Sequence, residues 1–89
     1  MIQAHIFYSG TVQGIGFRYT TQSYAQLLHL KGWVKNLSDG RVEIFVAGPR
    51  PKIEELCLNI DTRFDGYIQN KTIDFFEGNS TFDGFQIVT

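Results

Sequence analysis

The spacing of the apolar residues switches from a period of two to a period near 3.6 and back, twice, within 89 residues. Residues 2–12, IQAHIFYSGTV, set Ile2, Ala4, Ile6 and Tyr8 against Gln3, His5, Phe7 and Ser9, the alternation of a strand with one buried face. Residues 18–30 contain no Gly or Pro. Here Tyr24, Ala25, Leu27 and Leu28 join Phe17 and Thr21 on one helical stripe, with Gly32 as the expected stop. WVKNL and RVEIFVAG are β-rich runs on either side of SDG, a hairpin signal, and the second run buries Val42, Ile44 and Val46. KIEELCLNI then spaces Ile53, Leu56, Cys57 and Ile60 at i, i+3, i+4 and i+7, with Glu54 and Glu55 in its first turns. Further strands are expected over residues 67–77 and, after EGNS, over residues 85–88. The order β-α-β-β-α-β, extended by a terminal strand or turn, predicts an α+β ferredoxin-like sandwich, an antiparallel sheet with two helices on one face.

That architecture serves many chemistries, so composition is needed to narrow them. Residues 1–89 suit one domain with no room for a second. A formal charge of −1 gives no electrostatic footprint for nucleic acid or an anionic membrane surface, which would require clustered Lys and Arg. Any anion site must be local. Cys57 is the single cysteine and forms neither an internal disulfide nor a CxxC metal site. No apolar run approaches the roughly 20 residues of a bilayer span, and MIQAHIFYSG lacks the charged start and long apolar core of a signal peptide. The expected setting is the cytoplasm, and the expected state a monomer without cofactor or metal.

The local anion site is suggested by GTVQGIGFRYT, residues 10–20, between the first strand and the first helix. A helix N-terminus carries unpaired N–H groups and the positive end of the helix dipole. Gly14 and Gly16 accept positive φ without a Cβ penalty, so the N–H groups of Gly14, Ile15, Gly16, Phe17 and Arg18 can curl into a nest of donors. Arg18 stands at its rim with a planar guanidinium matched to two oxygens of a phosphate or carboxylate. A cation in a first helical turn opposes the dipole, and a bound anion would resolve that conflict.

A second stretch sharpens the reading. GWVKNLSDGRVEIFVAGP, residues 32–49, taken with GTVQGIGFR, resembles the acylphosphatase family, whose signatures are a Gly-x-Val-Gln-Gly-Val/Ile-x-Phe-Arg loop and a Gly-Trp-Val-Lys/Arg-Asn strand followed by a Gly-x-Val hairpin. The closing GFQIV is similar to the family's terminal Phe-x-Ile strand, and the likeness is weakest over residues 61–81. The resemblance implies metal-independent hydrolysis of acyl phosphates to carboxylate and inorganic phosphate. It implies that Arg18 grips the phosphoryl group, that Asn36 holds the attacking water, and that Gln13, Gly14, Ile15, Gly16 and Phe17 form the phosphate-binding loop, with Gln13 shaping it. Phosphoryl transfer asks chiefly for positioning and for charge stabilisation, which a guanidinium and backbone donors supply. An Asn amide orients water without titrating, so little pH dependence is expected near neutrality. Leu37 stands where animal members often carry Thr, as in many bacterial members, and IVT replaces the family's usual terminal Arg or Tyr.

Other readings compete with this one. RNA-recognition modules share the topology, but Ile15 stands where a stacking ring is required and Gln13 where a Lys or Arg is required. A non-catalytic phosphate-binding domain, like the acylphosphatase-like domain of hydrogenase-maturation carbamoyltransferases, is the alternative function. His5 and His29 have no partner at metal-ligand spacing. Cys57 reads as a small core hydrophobe, and Phe7, Trp33, Phe45, Phe75 and Phe76 as sheet and core packing.

Overall fold

The computed structural model describes residues 1–89. Its elements are β1 (Ile2–Gly10), α1 (Phe17–Leu27), β2 (Lys31–Asn36), β3 (Val42–Ala47), α2 (Arg50–Arg63), β4 (Ile68–Glu77) and β5 (Phe85–Ile87). The sheet order is β4-β1-β3-β2-β5. Ala4, Ile6, Tyr8, Val34, Val42, Ile44 and Val46 meet Phe17 and Ala25 of α1 and Ile53, Leu56, Cys57 and Ile60 of α2 in one buried cluster, so both helices cover the same face. Each large apolar side chain so buried contributes roughly 1.5–3 kcal/mol. This is the expected ferredoxin-like arrangement, with one correction. β5 runs parallel to β2, pairing Gly32 with Phe85 and Val34 with Ile87, so the sheet is mixed rather than antiparallel. The cause is geometric: β4, on one edge, finishes at the same end of the strands at which β2 starts, and the chain crosses that end to the opposite edge and enters beside β2 in the same direction.

Both helices end elsewhere than their patterns predict. α1 stops at Leu27, because His29 takes a left-handed φ of 57°. The His29 N–H then reaches the Gln26 carbonyl at 3.1 Å and the Leu30 N–H the Ala25 carbonyl at 2.9 Å, a Schellman cap closed by a histidine where glycine is usual. Gly32 therefore belongs to β2, and Leu27, assigned to the stripe, is 77% exposed. α2 begins at Arg50, two residues before the predicted start, since Pro51 lacks only an N–H that the first turn cannot use. Glu54 and Glu55 thus fall in the second turn. The aromatic set also divides. Trp33, Phe45, Phe7, Phe76 and Phe82 pack with His5 on the sheet face away from the helices, whereas Phe75 lies against the core. Gln3, expected on the polar face, is buried because the β4–β5 crossover covers it and its amide donates to the Ser80 carbonyl at 3.3 Å.

Beneath α2, the buried Tyr8 hydroxyl donates to Asp61 Oδ1 at 2.9 Å, and Lys71 Nζ donates to Oδ2 at 2.6 Å. Burial pushes the Tyr8 pKa far above the ordinary tyrosine value, with Cys57 and Asp61 adding to the rise. The folded chain keeps a proton that the unfolded chain releases near pH 10, so this group's contribution is full below about pH 10 and declines above it. The expected slope is about 1.4 kcal/mol per pH unit for one such group. Urea unfolding between about pH 9 and 11 is expected to show a shallower loss for Tyr8→Phe than for the parent. Equal slopes would refute this origin.

Candidate functional site

The loop between β1 and α1 owes its shape to two glycines. Gly14 and Gly16 have φ of 79° and 81°, and Gly16 is the N-cap of α1, with no side chain capping the helix and no acidic residue in its first turn. The first N–H groups of α1 are consequently free to face a ligand. Phe17 anchors the loop from below, stacked on Phe64 at 4.7 Å between ring centroids and edge-on to Tyr8 at 5.1 Å. Gln13 fastens it sideways, its amide nitrogen donating to the carbonyls of Leu37 at 2.8 Å and Arg41 at 3.0 Å. These two bonds tie the loop to the β2–β3 hairpin and so fix Gly14 and Gly16 relative to Asn36, the last residue of β2.

A cleft of about 500 Å³ opens at this junction, and Gly14, Gly16, Phe17, Arg18 and Asn36 all line it. Residues from the two separate sequence motifs therefore share one concavity. The side chains of Gln13 and Ile15 do not line it; Gln13 holds the hairpin and Ile15 packs against the core. Their part in any phosphate loop is limited to backbone groups and shape. Leu37 is likewise outside the lining, and its backbone closes the hairpin by donating to the Arg41 carbonyl at 2.8 Å. His5 lies on the opposite sheet face, 2.6 Å from Glu43 Oε2. No three His, Cys, Asp or Glu side chains gather at metal-binding spacing.

Two features of the lining residues bear on chemistry. Of the four arginines, Arg41 and Arg50 are paired with Asp39 and Glu54, and Arg63 lies over the Phe64 ring. Arg18 has no ion pair and no aromatic partner, although it sits in a helical turn whose dipole disfavours a cation. Asn36 Oδ1 is buried and accepts no hydrogen bond within the chain. A buried acceptor left unmatched costs on the order of 1–3 kcal/mol, and a water or ligand donor in the cleft would satisfy it. Val12, Gln22, Tyr19 and Ile87 complete the lining and were not among the residues expected from sequence. Tyr19 was findable as the neighbour of Arg18 off the core stripe, whereas Ile87 reaches the cleft only through the parallel pairing of β5.

Backbone freedom at Gly16 is testable here. A Cβ at Gly16 would meet nothing within 4 Å, so the cost of Gly16→Ala is conformational, about 1–2 kcal/mol for an L-residue held at positive φ. The variant is expected to fold with inorganic-phosphate affinity reduced several-fold, measured by calorimetric titration. Unchanged affinity would defeat the donor-nest model.

Comparison with known proteins identifies the family. The acylphosphatase family model matches residues 4–87. The acylphosphatase of Chloroflexus aurantiacus is 50% identical over 56 residues, 63% of this chain and 61% of that relative, so the aligned part spans about three fifths of its length. The acylphosphatase of Haloquadratum walsbyi is 37% identical over 86 residues, covering 96% of this chain and 91% of that one. The crystal structure of acylphosphatase from Bacillus subtilis matches with a TM-score of 0.93 at 34% identity, covering 100% of both chains. With the family model matched across nearly its whole length, this chain belongs to the acylphosphatase family.

Proposed function

We propose that residues 1–89 act as one unit that hydrolyses the carboxyl–phosphate bond of acyl phosphates without a metal, as a cytoplasmic monomer. The observation that carries this reading is the pairing, in one cleft, of an unpartnered guanidinium with a buried, unpartnered amide oxygen. The phosphoryl oxygens occupy the donors of the Gly14–Gly16 turn and the α1 N-terminus, with Arg18 opposing the charge that spreads over the equatorial oxygens. Asn36 Oδ1 accepts from a water and aims its oxygen at phosphorus. The water oxygen bonds to phosphorus as the bond from phosphorus to the acyl oxygen breaks. The electron pair leaves on the carboxylate, and the water's proton passes to a phosphate oxygen. A carboxylate is already a good leaving group, so no general acid is required. The lining holds no histidine, cysteine or carboxylate side chain that could serve as a general acid or base, so kcat/KM is expected to be flat between about pH 6 and 8.

Hydrolysis of benzoyl phosphate in EDTA, followed by ultraviolet absorbance, tests the reading. The parent is expected to turn over, and Asn36→Ala to lose about 100-fold in kcat, the scale of one misplaced reacting group. A folded parent that binds phosphate without turnover would instead establish a non-catalytic anion-binding domain.

A further inference from the structure

Resting on that reading, we infer that Tyr19 and Ile87 form the acyl-recognition wall of the cleft and select acyl phosphates whose acyl group is apolar and uncharged. Both side chains line the cleft, yet they come from different elements, the first turn of α1 and the last residue of β5. Both are also large apolar groups that the fold leaves in water, Tyr19 67% exposed and Ile87 36% exposed. Exposed apolar groups flanking a polar anion site are the lining expected for the apolar end of a two-part ligand. Their position is not accidental to the fold. Gln22, one turn along α1, donates to the Phe85 carbonyl at 3.0 Å, and the Val88 N–H donates to the Val34 carbonyl at 2.9 Å. These bonds clamp β5 on both sides of Ile87 and hold it against the cleft.

Charge argues the same way. Arg18 is the only charged side chain in the lining, and the phosphoryl group uses it. A second carboxylate or phosphate on the acyl group would find no cation and would face Tyr19, Ile87 and the neutral Gln22 amide. Desolvating such a group without a partner is unfavourable. Tyr19 offers a flat ring suited to an aromatic or branched acyl group.

Rates for benzoyl, acetyl, butyryl and succinyl phosphate test this in the full chain. An apolar group seated on an open-sided wall is worth about 10-fold, the low end for a hydrophobic pocket. The parent is therefore expected to favour benzoyl over acetyl phosphate, and butyryl over succinyl phosphate, by about 10-fold in kcat/KM. Tyr19→Ala and Ile87→Ala, both at exposed positions, are expected to cut the benzoyl-to-acetyl ratio by about threefold or more. Ile87→Lys is expected to raise succinyl phosphate relative to butyryl phosphate. Ratios unchanged in all three variants would overturn the wall. Calorimetric affinities for benzoylphosphonate and acetylphosphonate, in which a direct carbon–phosphorus bond removes the scissile oxygen, separate this inference from the hydrolytic one. A preference for benzoylphosphonate that Tyr19→Ala and Ile87→Ala erase supports the wall even in a chain that turns nothing over. Equal affinities in the parent overturn it even in an active enzyme.

Discussion

Arg18→Ala is expected to lose at least about a thousandfold in kcat for benzoyl phosphate while melting at the same temperature as the parent or slightly above it. Removing one preorganised donor from a developing charge typically costs 10²–10³-fold, and an arginine opposing a transferring phosphoryl group can exceed that. The stability half of the expectation has an independent origin. Arg18 has no salt bridge to lose, and its charge sits near the positive end of α1, where no acidic side chain balances it. Replacing it with the strongest helix former removes a repulsion worth about 0.3–1 kcal/mol. Stability and activity thus move in opposite directions at one residue, as expected where a charge is kept for a ligand. Arg18→Lys isolates geometry from charge, since an ammonium cannot make the two parallel donations of a guanidinium. Parallel measurement of kcat and thermal melting checks both halves. A melting temperature lowered by 10 °C or more would give Arg18 a structural role instead.

Arg18 and Asn36, which the fold brings to one cleft, could be named as candidates from sequence because both lie in long contiguous motifs, and a strand-loop-helix order already implies where the loop must point. The contribution of Gln13 was harder to read. Its acceptors, the Leu37 and Arg41 carbonyls, lie 24 and 28 residues away, and backbone carbonyls leave no mark on side-chain identity. The missed end of α1 has a local explanation. A histidine at positive φ is unfavourable alone, and tertiary burial of Leu30 at 2% exposure compensates it, a trade that propensity does not register. Ile87 and the parallel edge of the sheet were hidden for a third reason. A three-residue strand carries too little alternation to reveal its partner, and the register follows from the crossover path rather than from β5 itself. What could be read was periodic or contiguous, and what could not depended on contacts distant in sequence.

Gly32→Ala is the substitution expected to damage the fold most for the fewest atoms. Gly32 opens the GWVKN motif, and its place there invites a role beside Asn36, yet it is buried within the β2–β3 ladder opposite Val46. Its φ of 142° lies outside the range that L-residues adopt readily. A Cβ would overlap the Phe45 carbonyl oxygen, lie 2.9 Å from the Phe45 carbonyl carbon and 3.0 Å from Val46 Cα. These are backbone atoms of β3, which is hydrogen-bonded to β1 and β2 on its two sides, so neither rotamer change nor a small shift relieves the overlap. The Gly32 N–H also donates to the Gly84 carbonyl at 3.0 Å, so displacing β2 loosens the entry to β5 as well. A cost of about 3 kcal/mol or more corresponds to a fall of roughly 12–24 °C in a domain this size. Gly40→Ala in the hairpin turn supplies the control, because φ there is 96° and a Cβ would meet nothing within 4 Å. That variant bears the conformational cost alone, about 1–2 kcal/mol. Thermal unfolding followed by circular dichroism is expected to place Gly32→Ala well below Gly40→Ala. Equal melting temperatures would mean that the two strands separate enough to admit a methyl group, and that the motif's first glycine serves conformation rather than close approach.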